Sequence, residues 1–359
     1  MTGVHFHPLR VSSVRPDTDE AVLVSFDVPA ELQDTFRFTP GQYLTLRRGH
    51  GADDLRRSYS ICAAAGEPLR VGVRRVPGGA FSTWAHATLK AGDRLDVMEP
   101  QGRFGAAAAG GGAPRHVLAI AGGSGITPIL SIIKTVLTHE PTSRCTLLYG
   151  NRSAASTMFK EELEDLKNRH LTRLALHPVF SREQGDSPLH AGRLDQERIG
   201  LFLHTLVDPR TVDHAFVCGP HAMNDEAEGA LRAAGIAPAR IHIERFGIPP
   251  EQLQGDLHPA LPGDAGQARI AVVRDGVTRE FDYRQGDLSL LDAASRAGLD
   301  VPYSCRSGVC ATCRAKLLQG RVRMDRNFAL EPSDLDAGFV LTCQAHPLTD
   351  RVTVSFDER

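Results

Sequence analysis

The sequence predicts a multidomain protein with an N-terminal antiparallel β-barrel, a central α/β domain on a parallel sheet, and a small C-terminal α+β domain. Three observations carry this. Residues 1–108 hold short alternating segments such as "EAVLVSFDV", "QYLTLR" and "LRVGVRRV", which read as barrel strands. Residues 113–247 alternate apolar strands ("HVLAIAGG", "RCTLLYGNR", "LALHPVFSRE", "DHAFVCGP") with helical stretches ("TPILSIIKTVLTHE", "MFKEELEDLKNRH", "HAMNDEAEGALRAAG"), the pattern of a parallel sheet. Residues 268–359 combine a hairpin, an amphipathic helix and three cysteines within nine positions.

Two joints separate these regions. "GAAAAGGGAPR", 105–115, is a low-complexity Gly/Ala stretch. "GIPPEQLQGDLHPALPGDAGQ" is rich in Pro, Gly and polar residues, and 248–267 reads as an interdomain linker. The length of 359 residues accommodates two or three domains.

The net charge of -2 provides no global basic field, so neither nucleic acid nor an acidic membrane is an expected partner. No stretch is apolar enough to span a bilayer. The opening "MTGVHFHPLRV" lacks the charged and apolar regions of a secretory signal, so the expected location is the cytoplasm. In a reducing compartment, seven cysteines read as ligands, catalytic thiols or buried fillers in preference to disulfides. Cys62 and Cys145 are expected to be core fillers.

Cys305, Cys310 and Cys313 form C-x4-C-x2-C, and Cys343 follows in "VLTCQAH". This is the spacing of a plant-type 2Fe–2S cluster. Two irons need four thiolates, and a tight loop must wrap one side of the cluster. Small residues (Ser307, Gly308, Ala311, Thr312) let backbone N–H groups approach the sulfurs. A zinc site would usually present two close pairs, and this loop has three then one. The flanks agree: "VRDGVTREFDY" predicts a hairpin turning at Asp275–Gly276, and "LSLLDAASRAGLD" predicts a helix closed by Gly298.

"HVLAIAGGSGITPILSIIKT" is a strand, a Gly-rich turn and a helix. Gly122, Gly123 and Gly125 permit backbone approach to a phosphate, and the helix N-terminus favours negative charge there. Thr127 is expected to cap that helix, and Pro128 suits its first turn. Arg152 in "LLYGNR" and Ser181–Arg182 in "VFSREQ" fall at strand ends, where α/β sheets bind ligands, and a guanidinium suits the 2′-phosphate of NADP. The adjacent Glu183 leaves NADPH against NADH open at this point. Cys218 in "FVCGPHAM" ends another strand and is expected beside a nicotinamide.

A nicotinamide gives up two electrons together and a 2Fe–2S cluster accepts one, so a flavin is required between them. "RRSYSIC" supplies Arg57, Ser58, Tyr59 and Ser60: arginine for phosphate, tyrosine for the isoalloxazine face, serine for the ring edge. "RRVPGGAFSTWAH" supplies Gly79, Ser82 and Thr83 at an expected helix start, a second place for a pyrophosphate.

Together "RSYS", "GGAFSTW", "AGGSGITP", "YGNR", "SREQ", "CGP" and the four cysteines resemble, in order, a ferredoxin–NADP reductase-type flavoprotein fused to a C-terminal plant-type ferredoxin. The likeness spans essentially the whole chain. "LLYGNRSAAST", "EELEDLKNRH" and "FSREQ" most resemble reductase subunits of phenylacetyl-CoA ring epoxidases. The resemblance implies a β-grasp fold for the last domain, FAD, NADPH in preference to NADH, and delivery of electrons to a di-iron oxygenase component in aerobic aromatic degradation. It implies that Arg57, Tyr59, Ser60 and Ser82 contact FAD, that Gly123, Thr127, Arg152, Ser181 and Arg182 contact NADPH, and that Cys218 lies near the nicotinamide. It places Phe246 of "IERFG" where an aromatic shields the flavin. The same chemistry serving a Rieske-type hydroxylase or a steroid monooxygenase is the alternative, followed by a redox-sensing binding protein.

Overall fold

A computed structural model of the chain describes residues 5–50, 53–108, 113–183, 187–248 and 258–358. The opening tetrapeptide, part of the Gly/Ala joint, Gln184 of "SREQ" and much of the linker lie outside the described residues. The described chain divides into two compact units. One spans residues 7–246 apart from Arg56–Ser58, and that short stretch groups with the C-terminal unit.

The first sheet comprises β1 (Phe6–Thr18), β2 (Ala21–Asp27), β3 (Tyr43–Arg48), β4 (Leu55–Ser60), β5 (Arg70–Arg74) and β6 (Arg94–Met98), in spatial order β4-β3-β6-β1-β2-β5. Its β1–β2, β2–β5 and β3–β6 pairs are antiparallel. An antiparallel bridge from Ile61, just past β4, to Val71 of β5 joins the two outer strands and closes the barrel. Pro16 is tolerated inside β1 because the β1–β2 register shifts there, as at Val11/Ser13. Helix α1 (Ala80–Ala87) buries Phe81 and Ala85 in the barrel core.

The second sheet is parallel throughout, in the order β11-β10-β7-β8-β9. Its strands are β7 (His116–Gly122), β8 (Arg144–Asn151), β9 (Leu174–Phe180), β10 (His214–Gly219) and β11 (Ile241–Arg245). They alternate with α2 (Ile126–His139), α3 (Lys160–Arg169), α4 (Gln196–Thr205) and α5 (His221–Ala233). The central strand β7 is buried at every position, which is why "HVLAIAG" runs apolar instead of alternating. Its residues face two cores in turn: Val117, Ala119 and Ala121 one, Leu118 and Ile120 the other. The chain order reverses between β7 and β10, which opens a crevice at their carboxyl ends.

Barrel and parallel sheet share a core, since Ala21, Leu23 and Cys62 join the cluster under α2. Polar contacts cross the same seam. Ser131 Oγ donates to the Ala63 carbonyl at 2.6 Å. Arg70 holds both oxygens of Glu162 at 2.8 Å, and Lys134 bridges Glu67 (2.6 Å) to Glu162 (2.7 Å). Asp17 accepts from the N–H of Phe159, a residue held at φ 57°.

The C-terminal unit has a five-stranded sheet in the order β13-β12-β18-β14-β16, built from β12 (Gln267–Arg274), β13 (Val277–Arg284), β14 (Arg314–Gln319), β16 (Phe339–Leu341) and β18 (Arg351–Ser355). β12 and β18 pair in parallel and the other pairs are antiparallel. A two-stranded ladder of β15 (Val322–Met324) and β17 (Ala345–Pro347) lies beside it. Helix α6 (Leu290–Arg296) buries Leu290, Leu291, Ala293 and Ala294 against the sheet, giving the expected β-grasp, and a short α7 (Pro332–Asp336) precedes β16. The hairpin turns on Asp275 (φ 53°) and Gly276 (φ 72°), both left-handed as a two-residue turn with this twist requires. Ser289 caps α6 by accepting from the N–H of Asp292.

Gly125 packs its Cα against the backbone of Cys218, and a Cβ there would overlap the Cys218 carbonyl. Gly125→Ala is therefore expected to destabilise the 7–246 unit by about 1–3 kcal/mol, read as a lower denaturant midpoint of the full-length protein. An unchanged midpoint would mean that β10 yields at no cost.

Candidate redox site: three cofactor positions

The crevice at the carboxyl ends of β7 and β10 brings together the Gly-rich turn and the Cys218–Gly219 strand end, because Cys218 pairs in register with Ala121 of β7 and Glu244 of β11. Cys218 is fully buried, and burial, with the neighbouring Glu244 carboxylate, pushes its thiol well up. It therefore sits here as a neutral, compact group. Within the turn, Gly123 holds a left-handed φ of 53° and accepts from Tyr149 Oη at 3.1 Å.

The three glycines do different work. A Cβ on Gly122 would meet Met223 Sδ at 2.7 Å and Pro220 Cδ at 2.8 Å, so Gly122 is needed for the closure of the turn onto α5. Gly125 serves the contact with Cys218 described above. At Gly123 a Cβ would meet the Arg74 guanidinium at 3.1 Å, so this glycine faces a cation instead of a packed wall. The expected Thr127 cap is not formed. Gly125 is the N-cap of α2, and Thr127 Oγ1 donates to the Ser124 carbonyl at 3.0 Å from a buried position, its methyl against Gly72 of the barrel. A short helical turn at Gly123–Gly125 moves the start of α2 and gives that hydroxyl a carbonyl to bind instead of free N–H groups.

Arg152, Ser181 and Arg182 are exposed beyond the ends of β8 and β9. Backbone bonds from Ser181 N to Asn151 O and from Arg182 N to Arg152 O, both 2.9 Å, hold the two loops together. Glu183 turns away from them: both its oxygens accept from the Ala154 N–H at 3.1 Å. The place has exposed guanidinium groups and a serine, and the adjacent Glu183 carboxylate is occupied by backbone. That donor set fits a nucleotide carrying an extra phosphate.

On the barrel, β4 carries Arg57, Ser58, Tyr59 and Ser60. Arg57 is exposed and donates to the Arg56 carbonyl at 2.7 Å. Tyr59 packs against Phe81 of α1 with the rings tilted at a centroid distance of 5.6 Å, which sets the "RSYS" strand beside the "GGAFST" helix start. Gly79 is the N-cap of α1, with no side chain capping it, and Gly78 before it is left-handed at φ 72°. Ser82 is buried and internal to this loop, accepting from Val76 N at 3.0 Å and donating to Gly79 O at 3.4 Å, while Thr83 is exposed. An uncapped helix start, an exposed arginine and a half-buried tyrosine face fit a flavin with its pyrophosphate.

The sequence reading missed Glu244. The residue as a whole is half-buried, but its carboxyl group is enclosed between β10 and the barrel, with Oε2 accepting from Ser60 Oγ at 3.3 Å. Burial pushes its pKa up to about 8 against the weaker opposing pull of Ser60. Ser60, Cys218 and Glu244 thus meet where barrel and parallel sheet adjoin. The carboxylate in "IHIER" was the available signal, but in one dimension it reads as an outward position on an alternating strand. Phe246, just past β11, is 40% exposed.

In the C-terminal unit the four cysteines converge. Cys305 lies within hydrogen-bonding reach of Cys310 and Cys343, and Cys343 of Cys313. Hydrogen bonds from Cys310 and then Cys343 hold the Cys305 thiol well below its ordinary range, while Cys310 and Cys343 are pushed up, chiefly by Cys305. Arg306 (φ 54°), Gly308 (φ 78°) and Ala311 (φ 56°) are all left-handed, which curls the loop around the thiols, and Ser307 N donates to Cys305 Sγ at 3.4 Å. Four converging thiols in a loop that already directs one backbone N–H at a sulfur fit a 2Fe–2S cluster. Cys62 and Cys145 are instead core residues, with burial pushing their thiols up to about 11 and about 12.

Comparison with known proteins finds one matching family for each of the three regions. Residues 9–105 match the oxidoreductase FAD-binding domain, 119–228 the oxidoreductase NAD-binding domain, and 272–348 the 2Fe-2S iron-sulfur cluster binding domain. A component of the 1,2-phenylacetyl-CoA epoxidase of Escherichia coli K12 is 46% identical over 99% of this chain and 98% of its own length. The ferredoxin reductase component of the Mycolicibacterium smegmatis 3-ketosteroid-9-alpha-monooxygenase is 36% identical over 99% and 98%. Phthalate dioxygenase reductase has the same fold, with a TM-score of 0.60 at 21% identity and 98% of each chain covered.

With an unfolded-state carboxyl titrating near 4.5 and a native one near 8, Glu244 keeps its proton in the folded protein. Its contribution to stability is full below about pH 4.5 and is lost as pH rises towards 8. Glu244→Gln should remove that slope. An infrared carboxylic-acid band seen at pH 6 should disappear both in the variant and in the parent above pH 8; a band absent from the parent at pH 6 would contradict the buried acid. Modules, their order and full-length relatives agree: the chain belongs to the ferredoxin–NADP reductase-type flavoproteins fused to a C-terminal 2Fe–2S ferredoxin, and is an oxidoreductase of the kind that serves as the reductase component of an oxygenase.

Proposed function

We propose that this protein is the NADPH-using reductase of a phenylacetyl-CoA epoxidase complex and delivers electrons to its di-iron oxygenase component. The likeness at 46% identity to a component of such a complex, end to end, carries the choice of partner. The engagement of Glu183 with the Ala154 N–H carries the choice of NADPH, since it removes the carboxylate that would otherwise compete for the ribose hydroxyls. FAD, when bound, takes two electrons as hydride from the nicotinamide and releases them singly to the 2Fe–2S cluster.

The chain's own residues do the rest. Arg152, Ser181 and Arg182 bind the 2′-phosphate, and the N–H groups of the Gly123 turn orient the diphosphate. Gly79, Thr83 and Arg57 hold the flavin phosphates, Ser58 and Ser82 shape the strand and loop around them, and Tyr59 covers the ring face. Cys218 fills the crevice as a neutral group small enough for a nicotinamide to pass. Glu244 and Ser60 keep a proton at the edge of the flavin position. Phe246 covers the far side. Cys305, Cys310, Cys313 and Cys343 hold the cluster, whose potential of about -400 mV suits reduction of an oxygenase centre.

Arg182→Ala should raise KM for NADPH by about 10- to 100-fold, the worth of one charged hydrogen bond, and change KM for NADH about twofold or less. Equal losses with both nucleotides would contradict the phosphate assignment. Cys310→Ser should abolish reduction of the oxygenase component while NADPH still bleaches the flavin band. The partner assignment is tested by adding purified phenylacetyl-CoA epoxidase oxygenase subunits, which should accelerate NADPH oxidation in the presence of phenylacetyl-CoA; stimulation by a Rieske-type oxygenase alone would point to the other class.

A further inference from the structure

We propose that His258, Asp325 and His346 form a second metal site, separate from the four cysteines, that binds one late first-row divalent cation of the zinc class. His258 Nδ1 and His346 Nε2 both lie 2.7 Å from Asp325 Oδ2, and the three candidate ligand atoms fall within 4.8 Å of one another. The group is sheltered: the side chains of Asp325 and His346 are each 4% exposed and that of His258 is 13% exposed. Two imidazoles and a carboxylate are ligands such ions favour, and three protein ligands leave the fourth corner of a tetrahedron to water. Ligand atoms about 2.0 Å from zinc stand roughly 3.3 Å apart in a tetrahedron, so the present spacing needs shifts of well under an ångström at the two short contacts.

The surroundings fix the proton inventory in a way that suits a cation. Tyr283 Oη donates its one proton to the Asp287 carbonyl at 2.9 Å. Towards His346 Nδ1, 3.3 Å away, that oxygen can then act as acceptor, so Nδ1 carries a proton. Nε2 lies 2.7 Å from the acceptor-only Asp325 carboxylate and donates to it, so a cation entering the cluster would displace that proton and take the lone pair it frees. An outer partner holding one ring nitrogen protonated while the other faces the ligand cluster is the arrangement of metal-bound histidine. Asp325 is oriented in turn by Arg323, which pairs with its other oxygen and also with Asp264, at 2.5 and 2.6 Å. Two carboxylates thus share one guanidinium, and a negative charge is left over for the histidine side of the cluster.

The ligands come from three places in the C-terminal unit. Asp325 directly follows β15, His346 is in β17, and His258 lies at the chain's entry to that unit. A bound ion would join the entry segment to the β15–β17 ladder and fix where the tether ends.

The test uses the full-length protein with its flavin and cluster in place. Dialysis against buffered zinc, with iron and zinc counted per chain, should yield one zinc beyond the two cluster irons. X-ray absorption at the zinc edge should show a nitrogen and oxygen shell near 2.0 Å with imidazole scattering. His258→Ala should weaken zinc binding at least 100-fold with unchanged flavin and cluster spectra, and it leaves the Asp325–Arg323–Asp264 pairing intact. Asp325→Asn should do the same; if it fails to fold, His258→Gln provides the second measurement. Absence of stoichiometric zinc, a sulfur shell near 2.3 Å, or equal affinity in the His258 variants would overturn the proposal.

Discussion

The seam between barrel and parallel sheet is the constraint on which both nucleotide positions depend. Hydride transfer requires two rings face to face at contact distance, and neither domain alone fixes that distance. Here the two share one apolar core, and the polar ties Ser131–Ala63, Arg70–Glu162–Lys134–Glu67 and Asp17–Phe159 run along the same boundary. A partly buried ion network of this kind adds little net stability compared with apolar packing, yet losing one of its sheltered members leaves a charge unpaired, so it penalises relative slip of the two layers. The Ser60–Glu244 contact crosses the same boundary.

Much of the fold could be read directly from residue patterns, and for identifiable reasons. The fully buried β7 appears as an unbroken apolar run, the Asp275–Gly276 turn as its own dipeptide, and the cluster loop as cysteine spacing. Each of these is local: the residues that cause the structure are neighbours in sequence. The strand ends bearing Arg152, Ser181–Arg182 and Cys218 were also legible, because a parallel sheet places all its carboxyl strand ends on one side.

What was not legible depends on the third dimension. Gly122 and Gly125 look like phosphate-approach glycines, but the space they leave is filled by Met223, Pro220 and the Cys218 backbone. Thr127 looks like a cap, but the short turn ahead of α2 gives its hydroxyl another partner. Glu244 looks like a solvated strand residue until β11 is laid beside β10 and the barrel closes over it. His258, Asp325 and His346 are separated by 67 and 21 residues, so no spacing rule could have gathered them.

The burial of Cys62, Cys145 and Cys218 has a practical consequence. All three thiols are enclosed and kept protonated well into the alkaline range, so alkylating reagents and peroxide find no thiolate among them. Sulfhydryl labelling of the native polypeptide therefore becomes a gauge of iron–sulfur integrity: reagent uptake counts the fraction of molecules that have lost their inorganic core, with no background from the rest of the chain.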